Sequence, residues 1–345
     1  MSYDALLVFS FGGPEGHDEV MPFLERVTQG RGVPRDRLEA VAEHYHHFGG
    51  MSPIHARTRE LVDALRIELA SHGIELPIYL GNRFSAPFIE DTLRAMQAAG
   101  VQRALAFVTS AFSSYSGCRA YREDLARARD ALGEGAPEVD KIRPFYDHPG
   151  YVETCVARLR EALAKLPEPS SAHVLFSAHS IPTSMAAQSA YAGQLQALAK
   201  WVAEDAGLAR WELVYQSRSG PPQVPWLEPD VLDALRALAA REPGASVVVA
   251  PFGFVADHME VVWDLDEEAR LEAEKLGLTF VRAESANAHP RFVRMVRELV
   301  EERLRPGSPR ASRAEEGPRP DRCAPDCCPA PRRPGPPPDA SARRT

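Results

Sequence analysis

The chain has 345 residues, length for more than one domain, and its 44% hydrophobic, 26% charged and 8% aromatic content excludes disorder throughout. Forty Lys and Arg against 48 Asp and Glu give a formal charge of −8 and no long basic stripe, which argues against nucleic acid as a partner. The longest weakly polar stretch, 247–256, is about half of the ~18 apolar residues a membrane span needs, and 1–11 lacks a cationic leader start. The expectation is a cytoplasmic protein with no integral membrane association.

Short apolar runs alternate with helical patterns along the chain. Strands are expected at 5–11, 78–80, 104–109, 173–177, 212–216, 246–250 and 279–281, and helices at 57–71, 88–99, 150–166, 191–206, 230–240 and 291–305. Such alternation builds parallel βαβ units, so the fold class is α/β. The elements divide near 147–150 into two similar halves, 1–147 and 148–305, which suggests two Rossmann-like domains with parallel sheets and a cleft between them. Eleven of the 30 prolines fall in 306–345, a tail that cannot bury a core and is prone to disorder unless something ties it down.

In open α/β sheets ligands gather at the carboxyl ends of strands, and four polar segments follow apolar runs here. One delivers His179 to a loop ended by Pro182, where an imidazole can ligate a metal or accept a proton near neutral pH. A second places Glu260, Asp264 and Glu268 four apart, which puts them on one helical face. A solvated acidic face is the common meaning of that spacing, but stacked carboxylates at a strand end repel one another unless a cation or protons pass among them. The third, Tyr215-Gln216-Ser217-Arg218, suits an anionic ligand or the bracing of a loop, and the fourth is the hydroxyl-rich segment 109–121. No G-x-G-x-x-G follows the first strand, and no P-loop or G-x-S-x-G appears, so nucleotide and serine-hydrolase readings lose their basis. His44, His46 and His47 look metal-like, yet nothing nearby in sequence completes a site, and a locally bonded helix end is the simpler reading.

Taken together and in order, several segments resemble the ferrochelatase family, and within it the actinobacterial type assigned to coproporphyrin. They are Leu7-Val-Phe-Ser-Phe-Gly-Gly-Pro-Glu15, Gly30-Arg-Gly32, Phe48-Gly-Gly-Met-Ser-Pro53, Phe176-Ser-Ala-His-Ser-Ile-Pro182, Tyr215-Gln-Ser-Arg218, Pro225-Trp-Leu-Glu-Pro-Asp230 and Gly253-Phe-Val-Ala-Asp-His-Met-Glu260. The resemblance spans about residues 4–305 and implies a two-domain chelatase fold, a porphyrin in the cleft, and insertion of Fe²⁺ as substrate without a redox step. Insertion expels two pyrrole protons as the metal arrives, and a histidine with a line of carboxylates suits that exchange. By the family's pattern His179 and Glu260 are the catalytic and metal-site pair, and Asp264 and Glu268 fall on the trailing acidic ladder. Ser52 and Tyr121 are the implied porphyrin contacts, with Arg31 a candidate for a propionate. Some members carry a Tyr after the first strand as an axial group, whereas this chain has Phe11, which cannot ligate iron.

Cys323, Cys327 and Cys328 supply three thiolates, one short of the four a 2Fe-2S cluster takes. In cluster-bearing relatives the fourth comes from a helix early in the second domain, the place of Cys155, although Tyr151, Cys155, Leu159 and Leu163 also read as a core stripe; Cys118 reads as a packing or loop thiol. The expected function is a lyase of haem synthesis giving Fe-coproporphyrin III from coproporphyrin III and ferrous iron, in company with other haem-pathway enzymes. Protoporphyrin IX is the alternative substrate. A non-catalytic haem carrier or an iron-sulfur redox sensor on the same scaffold is the reading from a different class.

Overall fold

The computed structural model of the protein describes residues 3–305 and 307–330. The first half runs β1 (Ala5–Ser10), α1 (His17–Val27), α2 (Arg35–His47), α3 (Ile54–Ser71), β2 (Ile78–Asn82), α4 (Ile89–Ala98), β3 (Arg103–Val108), a π-helical turn (Tyr115–Arg119), α5 (Ala120–Leu132) and β4 (Glu138–Lys141). The second runs α6 (Pro149–Leu163), β5 (His173–His179), α7 (Thr183–Ala186), α8 (Tyr191–Ala206), β6 (Trp211–Gln216), α9 (Val231–Arg241) and β7 (Ser246–Ala250). It closes with α10 (Met259–Val261), a π-helix (Val262–Ala269), α11 (Arg270–Lys275), β8 (Thr279–Arg282) and α12 (Pro290–Leu304).

Each half is a four-stranded, wholly parallel sheet, and the strand order is the same in both: β2-β1-β3-β4 and β6-β5-β7-β8. β1 pairs on both sides, Leu6 opposite Ile78 and Leu105, and β5 does likewise, Phe176 opposite Leu213 and Ala250. Alternate side chains of β1 enter separate clusters: Leu6 and Val8 on one face, Ala5, Leu7 and Phe9 on the other. Burial on both faces explains why the run reads as continuously apolar.

The two halves share one core. Leu6, Val8 and Phe107 of the first sheet belong to the same cluster as Val174, Phe176 and Val248 of the second, joined through α3, α6 and α12. Phe292 of α12 meets Phe107 and Phe145, both at 6.1 Å. α6 and α12 start alike, with Pro at the first turn and a histidine cap: His148 accepts from the Gly150 amide and His289 from the Arg291 amide.

The sequence reading omits α1, α2, α5 and β4. The first two belong to a smaller cluster in which Val20, Phe23, Leu24, Leu38, Ala42 and Tyr45 enclose Met259 of the second half.

The proline-rich tail is tied down over 307–330. Ser312 Oγ donates to Asp147 (2.7 Å), the Arg313 amide donates to the Asp147 carbonyl (2.7 Å), and Arg143 donates to the Ala311 carbonyl (2.7 Å). Arg313 then pairs with Asp205 of α8, and Arg310 with Asp321. The strap crosses the junction of the halves and ends against α5 and β4, where Arg119 donates to the Cys327 carbonyl at 3.1 Å. The part of the tail from 331 onward lies outside the described residues. Among the described residues, no helix is long and apolar enough to cross a membrane.

Candidate active site

In a sheet ordered 6-5-7-8 the chain reverses its winding between β5 and β7, and the crevice beyond their carboxyl ends is where such folds hold ligands. His179 is the last residue of β5, and Glu260 follows the loop that leaves β7. Their facing atoms, His179 Nε2 and Glu260 Oε2, are 3.5 Å apart. About a third of the His179 side chain and half of the Glu260 side chain reach solvent, so the pair is accessible at the mouth of that crevice.

The imidazole is oriented from behind. Nδ1 donates to the Ser180 carbonyl, which leaves Nε2 as the atom turned to Glu260, and the Tyr191 hydroxyl donates to the His179 carbonyl at 2.9 Å. Burial works against charge on His179, but the Glu260 carboxylate outweighs it and holds the imidazole above its ordinary pKa. Burial likewise opposes charge on Glu260, and the His179 charge outweighs it and holds the carboxyl well below its usual range. His258, against the Phe254 ring at 4.9 Å, is pushed down by burial.

Beyond Glu260 the backbone winds into the π-helix, a local widening that recurs at functional sites. Asp264 projects from it into a polar clasp: Ser217 Oγ donates to Asp264, and Gln216 Nε2 donates to it at 3.2 Å and to the Glu260 carbonyl at 3.3 Å. Gln216 is in turn fixed by Ser177, which donates to its Oε1 at 2.9 Å. Burial raises Asp264 to a pKa of about 7, with the charges of Glu260 and Glu268 adding to it. Glu268, one turn on, is exposed. The three carboxylates thus stand on α10 and the π-helix that continues it, not on one α-helix as the i, i+4 spacing assumes.

The first half supplies the opposite wall. Its own strand order, 2-1-3-4, places the reversal between β1 and β3, whose carboxyl ends lead into 11–16 and the serine-rich loop. Met259 is buried among α1 and α2, and Trp263 stacks on His44 with centroids 3.8 Å apart. Ser52 is buried beside the turn after β1, its amide donating to the Pro14 carbonyl at 2.9 Å; a Cβ on Gly13 would stand 2.6 Å from the Ser52 Cβ, so the two segments require glycine there. The serine-rich loop is pinned across the cleft, the Ser113 amide donating to Gln194 of α8 at 2.7 Å.

Tyr121 is buried in the first-half core, edge-on to Phe9 at 5.0 Å and beneath the Arg83 guanidinium at 4.7 Å. Arg31 is exposed in the turn after α1. Phe11 packs on Phe84 at 4.8 Å. Arg218 braces its own loop by donating to the Pro222 and Val224 carbonyls. The histidines of α2 are held by distant partners and not locally: His44 stacks on Trp263, His46 meets His17 at 2.8 Å and His47 meets Glu267 at 3.5 Å. Gln216 and Ser217 are site residues that sequence reasoning gave another use; their position at the end of β6 was the available signal.

The cysteines require a correction. Cys155 does not join the tail thiols; it packs against the shared core on α6, and burial pushes it up to about 12. Cys118 takes its place, because the π-helical turn after Ser114 directs it at the docked strap. Cys118, Cys323, Cys327 and Cys328 line one cavity of about 310 Å³ together with Arg119, Arg122, Arg129, Lys141 and Arg322. A hydrogen bond from Cys118 lowers Cys323 to about 7, and Cys327 Sγ is 3.5 Å from Cys328 Sγ. Among the described residues, no three His, Cys, Asp or Glu are gathered closely enough to hold a single metal ion.

The ferrochelatase family model matches residues 3–304. A ferrochelatase of Rhodopirellula baltica is 50% identical over 96% of this chain and 95% of its own length. Coproporphyrin III ferrochelatases of Mycolicibacterium smegmatis and Frankia alni are 51% and 54% identical, covering 93% and 95% of this chain and 94% and 87% of theirs. SirB from Bacillus subtilis, solved with Fe³⁺, shares the fold at a TM-score of 0.55 and 14% identity, over 88% of this chain and 96% of its own. With the family match spanning both sheets and every element that frames His179 and Glu260, the chain belongs to the ferrochelatase family.

Proposed function

We propose that this enzyme inserts Fe²⁺ into coproporphyrin III to give Fe-coproporphyrin III, as a lyase of the cytoplasm. The observation that carries the reading is the His179–Glu260 pair backed by Asp264, at the winding reversal of the second sheet. Relatives at 51% and 54% identity that bear the name coproporphyrin III ferrochelatase support the choice of porphyrin.

Ferrous iron is the substrate cation. The Glu260 carboxylate and, once its Nε2 proton has left, the neutral His179 imidazole form a mixed oxygen and nitrogen donor pair of the kind that suits it. Two pyrrole protons must leave as iron enters, so net charge at the macrocycle is unchanged and the site has to hold protons in transit. Asp264, raised by burial to about 7, is the group suited to hold a proton in transit, and Glu268, four residues on, is exposed to solvent. Of the porphyrin contacts that the resemblance implies, Arg31 is exposed and free to act as a rim cation for a propionate, whereas Ser52 and Tyr121 are buried and would reach a porphyrin only if the segments covering them shift.

The four thiols around the strap cavity match a 2Fe-2S cluster in number and kind, in a lining that holds both cations and the carboxylates of Asp140 and Asp321. Cys118, Cys323, Cys327 and Cys328 would hold it, and when bound it supplies one-electron redox chemistry. Cys323, already close to ionisation, is the thiol best prepared to ligate.

Anaerobic Fe²⁺ insertion, with coproporphyrin III and protoporphyrin IX at matched soluble concentrations, tests the reading. Turnover of coproporphyrin well above protoporphyrin is expected. The reverse preference would assign the alternative substrate, and turnover of neither would leave the carrier or sensor reading.

A further inference from the structure

Arg282, at the carboxyl end of β8, holds two carboxylates that the site chemistry leaves unused. Its Nε and Nη2 donate to Asp266 Oδ1 and Oδ2 at 2.8 and 2.7 Å, a two-pronged contact, while Nη1 donates to Asp257 Oδ1 at 3.0 Å. Asp257 precedes Glu260 by three residues, and Asp266 lies on the π-helix between Asp264 and Glu268.

Asp257 is itself over-determined. It is buried and accepts from Ser285 Oγ at 2.8 Å and Asn287 Nδ2 at 3.1 Å, while its amide donates to Asn287 Oδ1 at 2.9 Å. Asn287 pays for this exchange with a left-handed backbone, φ 47°, at a position without glycine. One guanidinium thus ties a rigid anchor under Glu260 to the middle of the acidic π-helix.

The ladder needs such a tie. Glu260, Asp264 and Glu268 carry like charges on adjoining turns, and like charges repel one another until a cation stands among them. Arg282 restrains their elements through Asp257 and Asp266, and among the described residues its ion pairs go to those two carboxylates and to none of Glu260, Asp264 and Glu268. We propose that Arg282 is a positioning residue for the divalent metal substrate: it sets the spacing between the Glu260 loop and the π-helix without touching metal or porphyrin. The proposal rests on the reading of Glu260, Asp264 and Glu268 as the cation's path.

Arg282→Lys keeps the charge and loses the fork, since one ammonium cannot reproduce the planar contact. In anaerobic steady-state insertion, KM for Fe²⁺ is expected to rise tenfold or more, while the Kd for coproporphyrin III from fluorescence quenching stays within twofold. Asp266→Asn is expected to reproduce the effect, and the double variant to be no worse than the more impaired single one, because both cut the same tie. Folded Arg282→Lys with an Fe²⁺ KM within twofold of wild type, or with porphyrin affinity lost in parallel, would overturn the proposal. If Arg282→Lys does not fold, folded Asp266→Asn with unchanged Fe²⁺ KM overturns it equally. Wild-type protein that inserts no metal into either porphyrin removes the enzymatic reading itself, a result separable from any of these.

Discussion

His179 ends β5 and Glu260 stands on α10, beyond the loop that leaves β7, and the two meet with Nε2 3.5 Å from Oε2, each favouring the charged form of the other. Removing either partner leaves the other without its counter-charge and the crevice without a donor. His179→Ala and Glu260→Gln are each expected to lower kcat by about 10²–10⁴, the range for loss of a positioned proton-transfer group. Coproporphyrin binding, followed by fluorescence, should stay near wild type. Retained turnover in either variant would remove that residue from the mechanism.

The strap cavity separates Cys118 from Cys155. Cys118→Ser should abolish the visible absorption of a 2Fe-2S cluster in anaerobically purified protein, whereas Cys155→Ser should leave it unchanged. A bleached Cys155 variant with normal thermal stability would reverse the assignment.

His148 gives the protein an acid limit. It caps α6 and is almost wholly buried; among the described residues its Nε2 has no hydrogen-bond partner, with the Glu298 carboxylate 3.7 Å away, and burial, with the Arg143 charge, lowers its pKa to about 3. The unfolded chain protonates this imidazole near 6.5 and the folded one does not. Its contribution is therefore intact above about pH 6.5 and is lost as pH falls toward 3, at up to about 1.4 kcal/mol per pH unit. His148→Asn keeps a capping oxygen and removes the titration, so its denaturation curves should show a flatter loss of stability between pH 6 and 4.

Arg143 is the root of the strap. Its side chain is 1% exposed and binds Asp147 and Glu302, both buried, as well as the Ala311 carbonyl. Arg143→Ala strands two buried carboxylates, a loss of about 3–5 kcal/mol. A fall in Tm on the order of 10 °C is expected. Residues 307–330 should also become sensitive to limited proteolysis, and a resistant strap in the variant would show that Arg310, Arg313 and the cysteine end suffice.

Much of the fold was legible because its signal is local. Both faces of β1 and β5 are covered, so their runs are apolar without interruption, and the proline and histidine that open α6 and α12 mark those helices in the sequence. α1 and α2 escaped notice because their partner is Met259, more than two hundred residues away, and not a sheet of their own half.

At the site, the sequence determined residue types and order: a histidine ending one strand, a carboxylate series after another, and thiols grouped in a tail. These follow from strand ends and i, i+4 spacing, which are properties of a short stretch of chain. Which distant groups meet was decided by packing. β5 beside β6 and β7 brings Ser217 and Gln216 onto Asp264, and the fork of Arg282 spans Asp257 and Asp266. The strap's salt bridges carry Cys323 to Cys118 while α6 keeps Cys155 against the core, because side-chain direction depends on which face each element buries, and only the assembled sheets fix that.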